Sequence, residues 1–325
     1  MIKRYLNRAY DLGFIKPLVP LWLKRNQSKS MILLYHRFDK EGVYPFLDQG
    51  GNPNTVPDQF RDDIRLLKSF GAKFKTVSQL LENKDPNSFN IAICIDDGFK
   101  SNYETGMDIC ASEGIPQTIF QCSSMLSGRA LIWEHSLYYL FFHPSFGEKL
   151  RTEFRSNNLP TDIEKLKFLL HPNRICELLE KATNSSQEIK DELKALAVEI
   201  YPSENDLKRF VSTSNELGSH GADHWPRSSI TQGEFETQIS KSKSVLEKIV
   251  NQNIESFSYP FNDYYDQDLV ACKRYYNNVF SVEPGFLNNV NQGPVRETLN
   301  IPRNTYPGTP KSALRHRRWL LTGRI

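Results

Sequence analysis

Apolar residues fall along this chain in two rhythms. Residues 91–95, inside the stretch NIAICIDDGFK, form a run without alternation that ends abruptly on two carboxylates and a glycine. Such a run, rich in β-branched residues, predicts a strand buried on both faces, the condition of strands in parallel sheets. Residues 31–36 (MILLYH) repeat the pattern and predict the first core strand. Between them, residues 58–70 carry Phe60, Ile64, Leu67 and Phe70 at helical spacing and stop at Gly71, and residues 76–81 read as a short helical step. Asp97-Gly98 taken alone is also a hairpin signal. Residues 102–113 decide against it, because Tyr103, Met107 and Cys110 keep helical spacing, Gly114 and Pro116 end the helix, and apolar residues 118–122 follow. The order is strand, helix, strand.

From residue 123 to about residue 204 the texture changes. Trp133 and the aromatic cluster 138–142 precede Leu-, Lys- and Glu-rich helical segments at 163–170, 175–182 and 189–200, which together read as a helical insertion. Glu134 and His135 stand close enough to the strand end at Cys122 to reach a site rim, but a surface role is the expectation. The sheet rhythm resumes with a helix at 205–212 and a short strand at 216–219 ending in SHGADHWP. Thr231 and Glu234 form a capping box ahead of Phe235, Ile239, Leu246 and Ile249 on a long amphipathic helix. Residues 255–262 (ESFSYPFN) are a strand with its turn, 266–276 a helix and 279–282 a strand, and 300–303 (NIPR) close the set. No fixed-period repeat is evident.

A chain of 325 residues, 39% hydrophobic, is long enough for one large α/β domain with an insertion or for two domains. The five cysteines (Cys94, Cys110, Cys122, Cys176, Cys272) are odd in number and lack Cys-x-x-Cys spacing, so they read as buried hydrophobes in a reducing compartment, and a metal would need other ligands. The net charge of +3 is uneven. Lys3, Arg4, Arg8, Lys16, Lys24, Arg25 and Lys29 face only Asp11 in the first thirty residues, and the far end carries Arg303, Lys311, Arg315, Arg317, Arg318 and Arg324 without an acid. No nucleic-acid recognition motif accompanies these ends. Residues 1–13 set Ile2, Tyr5, Leu6, Ala9 and Tyr10 opposite Lys3, Arg4, Asn7 and Arg8, which suits peripheral contact with an anionic membrane; a solvated helix packed on the body is the alternative. Residues 12–23 are broken by Lys16, Pro17 and Pro20, fall short of the roughly 20 apolar residues a span needs, and show no cleavage site. The expected organisation is a basic segment 1–30, a catalytic domain 31–309 holding the insertion 123–204, and a basic helix 310–325. The expected location is cytoplasmic, peripheral at the inner face of the membrane.

His36, the Asp96–Asp97 pair, His220, and Pro260 with Phe261 each fall just beyond a different expected strand, and on a parallel barrel they would share one cleft. His220 and His224 are four apart, so one helical turn would turn both imidazoles to the same side. Gly221 stands where the zincin motif needs a glutamate. Two His and one Asp with open positions suit a hydrolytic zinc site. A non-haem iron oxygenase uses the same set, though usually with its His and carboxylate two residues apart. A binding module that has lost catalysis is a third class, which the intact set of four residues argues against.

These residues resemble the polysaccharide deacetylases, the NodB-homology domains of carbohydrate esterase family 4. Residues 95–98 match the apolar strand ending in Asp-Asp-Gly, and DDGFKSN its extension. His220 to His224 match His-[Ser/Thr]-x-x-His except at Gly221, and SYPFN matches Arg-x-Pro-Tyr-Gly loosely, without the arginine; Arg303 in NIPR is the candidate replacement. The late Leu-x-His motif has no counterpart, but Leu34, Tyr35 and His36 look like the version of a circularly permuted branch that carries this histidine in the first strand. The resemblance implies a distorted (β/α) barrel of fewer than eight strands and a divalent metal, most often Zn2+, on Asp97, His220 and His224. Asp96 would be the base and His36 the acid, with Tyr259, Pro260, Phe261 and Arg303 towards substrate or oxyanion. A metal lowers the pKa of its water to about 7, so a neighbouring carboxylate can take the proton, and two adjacent carboxylates cannot share one coordination face. The implied reaction removes an N-acetyl or other N-acyl group from an amino sugar of a polysaccharide, oligosaccharide or lipid-linked glycan precursor, with O-deacetylation of a surface glycan, or a carbohydrate-binding module that has lost catalysis, as the alternatives.

Overall fold

The computed structural model describes residues 29–49, 54–82, 87–183, 186–283, 286–287 and 300–305. The amphipathic segment expected near the N-terminus and the basic helix 310–325 lie outside them. In chain order the elements are β1 (Ser30–Tyr35), α1 (Pro45–Gln49), α2 (Pro57–Ser69), β2 (Lys73–Lys75), α3 (Val77–Glu82) and β3 (Asn90–Ile95). A π-helical turn (Asn102–Gly106) runs into α4 (Met107–Ser112), followed by β4 (Thr118–Gln121). Then come α5 (Trp133–Phe142), α6 (Gly147–Ser156), α7 (Ile163–Leu169), α8 (Pro172–Thr183), α9 (Gln187–Ile200) and α10 (Glu204–Val211). The chain returns to the sheet with β5 (Glu216–Ser219), α11 (Gln232–Val250), β6 (Ser256–Ser258), α12 (Asp268–Cys272), β7 (Asn278–Phe280) and β8 (Asn304–Thr305).

All pairings are parallel, in the order β7-β6-β5-β4-β3-β1-β8. β2 lies off this path, because it pairs with the start of β3 (Lys73↔Asn90) while β4 takes the end of the same edge (Cys94↔Thr118). The circuit closes where Ile301 bridges Phe280 and its N–H donates to Val279 O at 2.7 Å, with β8 next to β1. The result is a distorted (β/α) barrel whose circuit has seven strands, with the stretch 300–303 as its closing piece.

The unbroken apolar runs now have a cause. Side chains alternate across a strand, and here both faces are dry. Ile32, Leu34, Ala92, Cys94, Phe120, Phe280 and Ile301 pack together inside the barrel, with Val77, Leu80 and Leu81 of α3 in the same cluster. Met31, Leu33, Tyr35, Ile91, Ile93 and Ile95 face outward onto Phe60, Ile64 and Leu67 of α2 and onto α4, α10 and α11. α3 closes the amino end of the barrel, where Glu216 accepts from the Ser78 main chain at 2.9 Å and its hydroxyl at 2.8 Å. α11 starts at the expected capping box, Thr231 with Glu234. α12 is shorter than the helix expected over 266–276, ending at Cys272. Cys94, Cys110, Cys122 and Cys272 are buried, whereas Cys176 is exposed.

The helices α5 to α9 form a layer with a core of its own, built on Leu137, Tyr138, Leu150, Phe154, Leu166, Ile175, Leu178, Ala197 and Tyr201. α10 belongs instead to the barrel, since Leu207 and Phe210 join the outward core. No helix among the described residues is long and apolar enough to cross a membrane.

Candidate active site

Strand register brings the site together. Tyr35 pairs with Ile95, so β1 and β3 end level and His36 emerges beside Asp96. Gln121 pairs with Ser219, and Ser219 with Phe257, so the ends of β4, β5 and β6 reach the same rim. That rim is the carboxyl end of the barrel, where chemistry gathers in such folds.

Past the rim the backbone is forced into unusual shapes. Asp97 (φ 70), His224 (φ 54), Phe261 (φ 58) and Asn262 (φ 54) are four of the six non-glycine residues with left-handed backbone among the described residues. Such conformations cost of order 1–3 kcal/mol each and persist where the surroundings over-determine them. Gly98 (φ 86) follows Asp97, and a side chain there would collide with Gln121, whose Oε1 would stand 1.9 Å from the new Cβ. Here glycine is a requirement, and the tight turn it allows aims the Asp97 carboxylate inward.

Asp97, His220 and His224 each offer one ligand atom, all within 4.8 Å of one another and all buried. Asp97 Oδ1 lies 3.5 Å from His220 Nε2 and 3.4 Å from His224 Nε2. Ligands about 2.0–2.1 Å from a tetrahedral ion stand roughly 3.3–3.4 Å apart, and these two separations match that spacing. Ring tautomers also fit. His220 Nδ1 meets Ser258 O at 2.8 Å, and His224 Nδ1 meets Glu134 Oε2 at 2.7 Å. A carbonyl oxygen only accepts, so His220 Nδ1 carries hydrogen and its Nε2 lone pair is free for a metal. Burial pushes the Asp97 carboxyl up, but His220, His224 and His36 pull it down further, so it is ionised.

The expected helical turn between the two histidines is absent. Residues 220–226 are an irregular loop, because Gly221 (φ 77) and His224 (φ 54) both leave right-handed space. The four-residue spacing brings the imidazoles together by another route, their ring centroids 5.2 Å apart.

Asp96 has different partners. Arg303 NH1 and NH2 donate to its two oxygens at 2.6 and 2.8 Å, a bidentate buried pair. Ser258 Oγ lies 3.2 Å from Asp96 Oδ2 and accepts from Arg303 NH2 at 2.5 Å. Burial raises the Asp96 pKa, but Arg303 and then His220 more than offset it, leaving the carboxyl below its ordinary range. Asp96 Oδ2 is still 3.8 Å from His220 Nε2, so it faces the ligand set without belonging to it.

The cleft over these groups holds about 300 Å³. His36 lines it, with its Nδ1 buried and without a hydrogen-bond partner. Burial lowers the imidazole pKa below 6.5, while Asp97 and Asp96 pull it back up. Phe261 borders the cleft with its ring 4.2 Å from that of His224.

Arg303, Tyr259 and Pro260 complete the set expected towards substrate or oxyanion. Arg303 is fully buried and spends its guanidinium on Asp96, Ser258 and Ser281 O, so it holds a carboxylate. Tyr259 lines the cleft, packs its ring against Tyr264 and Phe257 and pairs its hydroxyl with Asn300. Pro260 is buried, its Cγ 3.5 Å from where a Gly221 side chain would begin.

Glu134 and His135, expected on the surface, are both 1% exposed. Glu134 meets His224, Lys167 Nζ at 3.2 Å and Tyr138 Oη at 2.7 Å. Burial raises its pKa, but Lys167 and His224 lower it further, to about 2. Ser258, whose carbonyl and hydroxyl touch both halves of the site, also escaped sequence reasoning. Strand alternation held the signal, since it sends Ser256 and Ser258 inward and Phe257 and Tyr259 outward.

With this geometry in view, a family model described as polysaccharide deacetylase matches residues 83–277, more than half of the chain. No curated protein matches the sequence. Among solved structures, the fold is similar to the Streptococcus pyogenes deacetylase PplD in complex with acetate, at 14% identity over 86% of this chain and 92% of that one, with a TM-score of 0.55. It is similar to BC0361, a polysaccharide deacetylase from Bacillus cereus, at 18% identity over 90% and 69%, with a TM-score of 0.57. IcaB from Ammonifex degensii shares 14% identity over 91% and 98%, with a TM-score of 0.56. His36 and Arg303 fall outside the stretch the family model matches, and the sheet carries them into the site.

If these three residues are the ligands none is spare, so Asp97→Ala, His220→Ala and His224→Ala should each lose most bound metal, read by elemental mass spectrometry of the purified chain. Full occupancy in any one variant would remove that residue from the ligand set.

Proposed function

The chain belongs to the polysaccharide deacetylase family, hydrolases of the amide bonds of acetylated sugars, and from this we propose that it removes an N-acetyl or other N-acyl group from an amino sugar of a polysaccharide, oligosaccharide or lipid-linked glycan precursor. One observation carries the reading: two adjacent carboxylates are held for two different tasks. Asp97 faces two imidazoles and Asp96 is gripped by Arg303. The acetate bound to the structurally similar PplD is the product such a reaction releases.

Asp97, His220 and His224 would hold a divalent ion, zinc fitting the donor set best. A bound ion of this kind supplies Lewis acidity, lowering the pKa of water to about 7 and polarising an acyl oxygen. The remaining work falls to the side chains. Asp96 rests ionised, as a base must, and takes a proton from the attacking water as its oxygen bonds to the acyl carbon. Arg303 makes Asp96 a weaker base but keeps it charged and aimed. The carbon–nitrogen bond then breaks, and the nitrogen needs a proton because an amine anion is too basic to leave. His36, which lines the same cleft, is the donor in this reading. Products are a carboxylate and a free amine.

Asp96→Asn should keep the metal and lose about 10²–10⁴ in kcat on acetylated amino-sugar oligomers. Turnover at the wild-type rate would rule out Asp96 as the base.

His36→Ala should fold and hold metal normally yet lose about 10²–10⁴ in kcat. An acid works only while protonated, so wild-type activity falls as pH rises through its pKa, and this limb should vanish in the variant. The defect should shrink on an activated aryl ester, whose leaving group needs no proton. Equal defects on amide and ester would assign His36 to positioning.

A further inference from the structure

We propose that the helical insertion completes the metal site, with Glu134 and Lys167 as positioning residues for His224. This rests on the reading of Asp97, His220 and His224 as metal ligands. The two histidines are held by different parts of the molecule. His220 is oriented by the barrel, through Ser258 O of β6. His224 sits in an irregular loop with left-handed backbone, and what meets its Nδ1 is Glu134, in the first turn of α5. The other Glu134 oxygen receives Tyr138 Oη at 2.7 Å and Lys167 Nζ at 3.2 Å. Lys167 comes from α7 and also meets Glu164 at 3.0 Å. The chain of contact therefore runs from α7 to α5 to the ligand.

The same loop is gripped at two further points. Trp133 Nε1 donates to Asp223 O at 3.1 Å and His224 O at 3.3 Å, and His171 packs edge-on against Trp225 at 5.1 Å. All of these residues belong to the insertion or to the loop it covers. An Nδ1–H bonded to a carboxylate fixes the tautomer that leaves Nε2 free and raises its basicity as a ligand. A carboxylate at 1% exposure is costly unless paired. Lys167, itself 4% exposed, supplies the pairing charge and a fixed position. Without Lys167 the orienting acceptor is lost along with its counter-ion, although neither residue touches the metal.

The test titrates Zn2+ into the full chain stripped of metal, following heat of binding, with thermal unfolding of each metal-free form as a control on folding. Glu134→Ala and Lys167→Met should bind zinc about 10–100-fold more weakly than wild type, and Lys167→Arg, which keeps the charge, should recover to within a few-fold. Equal affinity in Lys167→Met and wild type overturns this inference and leaves the ligand assignment standing. A wild-type chain that binds no zinc overturns the ligand assignment and the inference together. If Lys167→Met does not fold, Glu134→Gln is read in its place: weaker zinc binding supports the proposal, and unchanged binding overturns it.

Discussion

A fully buried guanidinium clasping a buried carboxylate organises this molecule. Arg303 stands immediately before β8, the strand that closes the barrel, and Asp96 at the end of β3, so their two hydrogen bonds tie barrel closure to the catalytic rim. Taking both charges out of water is expensive, and removing one partner of such a pair typically costs about 3–5 kcal/mol. Ser258, Ser281 O and the face of Phe120 satisfy what remains of the guanidinium. One clasp thus keeps Asp96 charged and occupies both its oxygens, while Asp97 is the carboxylate that stands closer to the two imidazoles.

Around that clasp, rigid strands supply level ends and strained loops supply aim. The paired ends of β1 and β3 place His36 and Asp96 side by side without any local motif. The left-handed residues Asp97, His224 and Phe261 then redirect side chains that ordinary strand geometry would send elsewhere. Such strain is tolerable because each residue is also held by a neighbour: Asp97 O accepts from Cys122 N at 3.1 Å, and Trp133 reaches the His224 carbonyl.

Much of this was legible in the sequence, because burial on two faces leaves unbroken apolar runs and a capping box leaves a local signature. Residues 31–35 and 91–95 therefore announced their strands, and Thr231 with Glu234 their helix. The Asp-Asp-Gly turn and the His pair were legible for the same reason, being short and contiguous. What could not be read was set by distant contacts. Nothing near Glu134 says that His224 and Lys167 will surround it, since the three are brought together only by folding. The helical turn expected between His220 and His224 failed because Gly221 frees the backbone and partners on β6 and α5 dictate the rest.

In the proposed reaction Asp97, His220 and His224 hold a metal on which deacetylation depends. The most direct measurement is acetate release from an acetylated amino-sugar oligomer by the full chain before chelation, after removal of divalent ions, and after addition of one equivalent of zinc. The account predicts that activity disappears on removal and returns on addition. Acetate release that continues unchanged in the metal-free chain would contradict it.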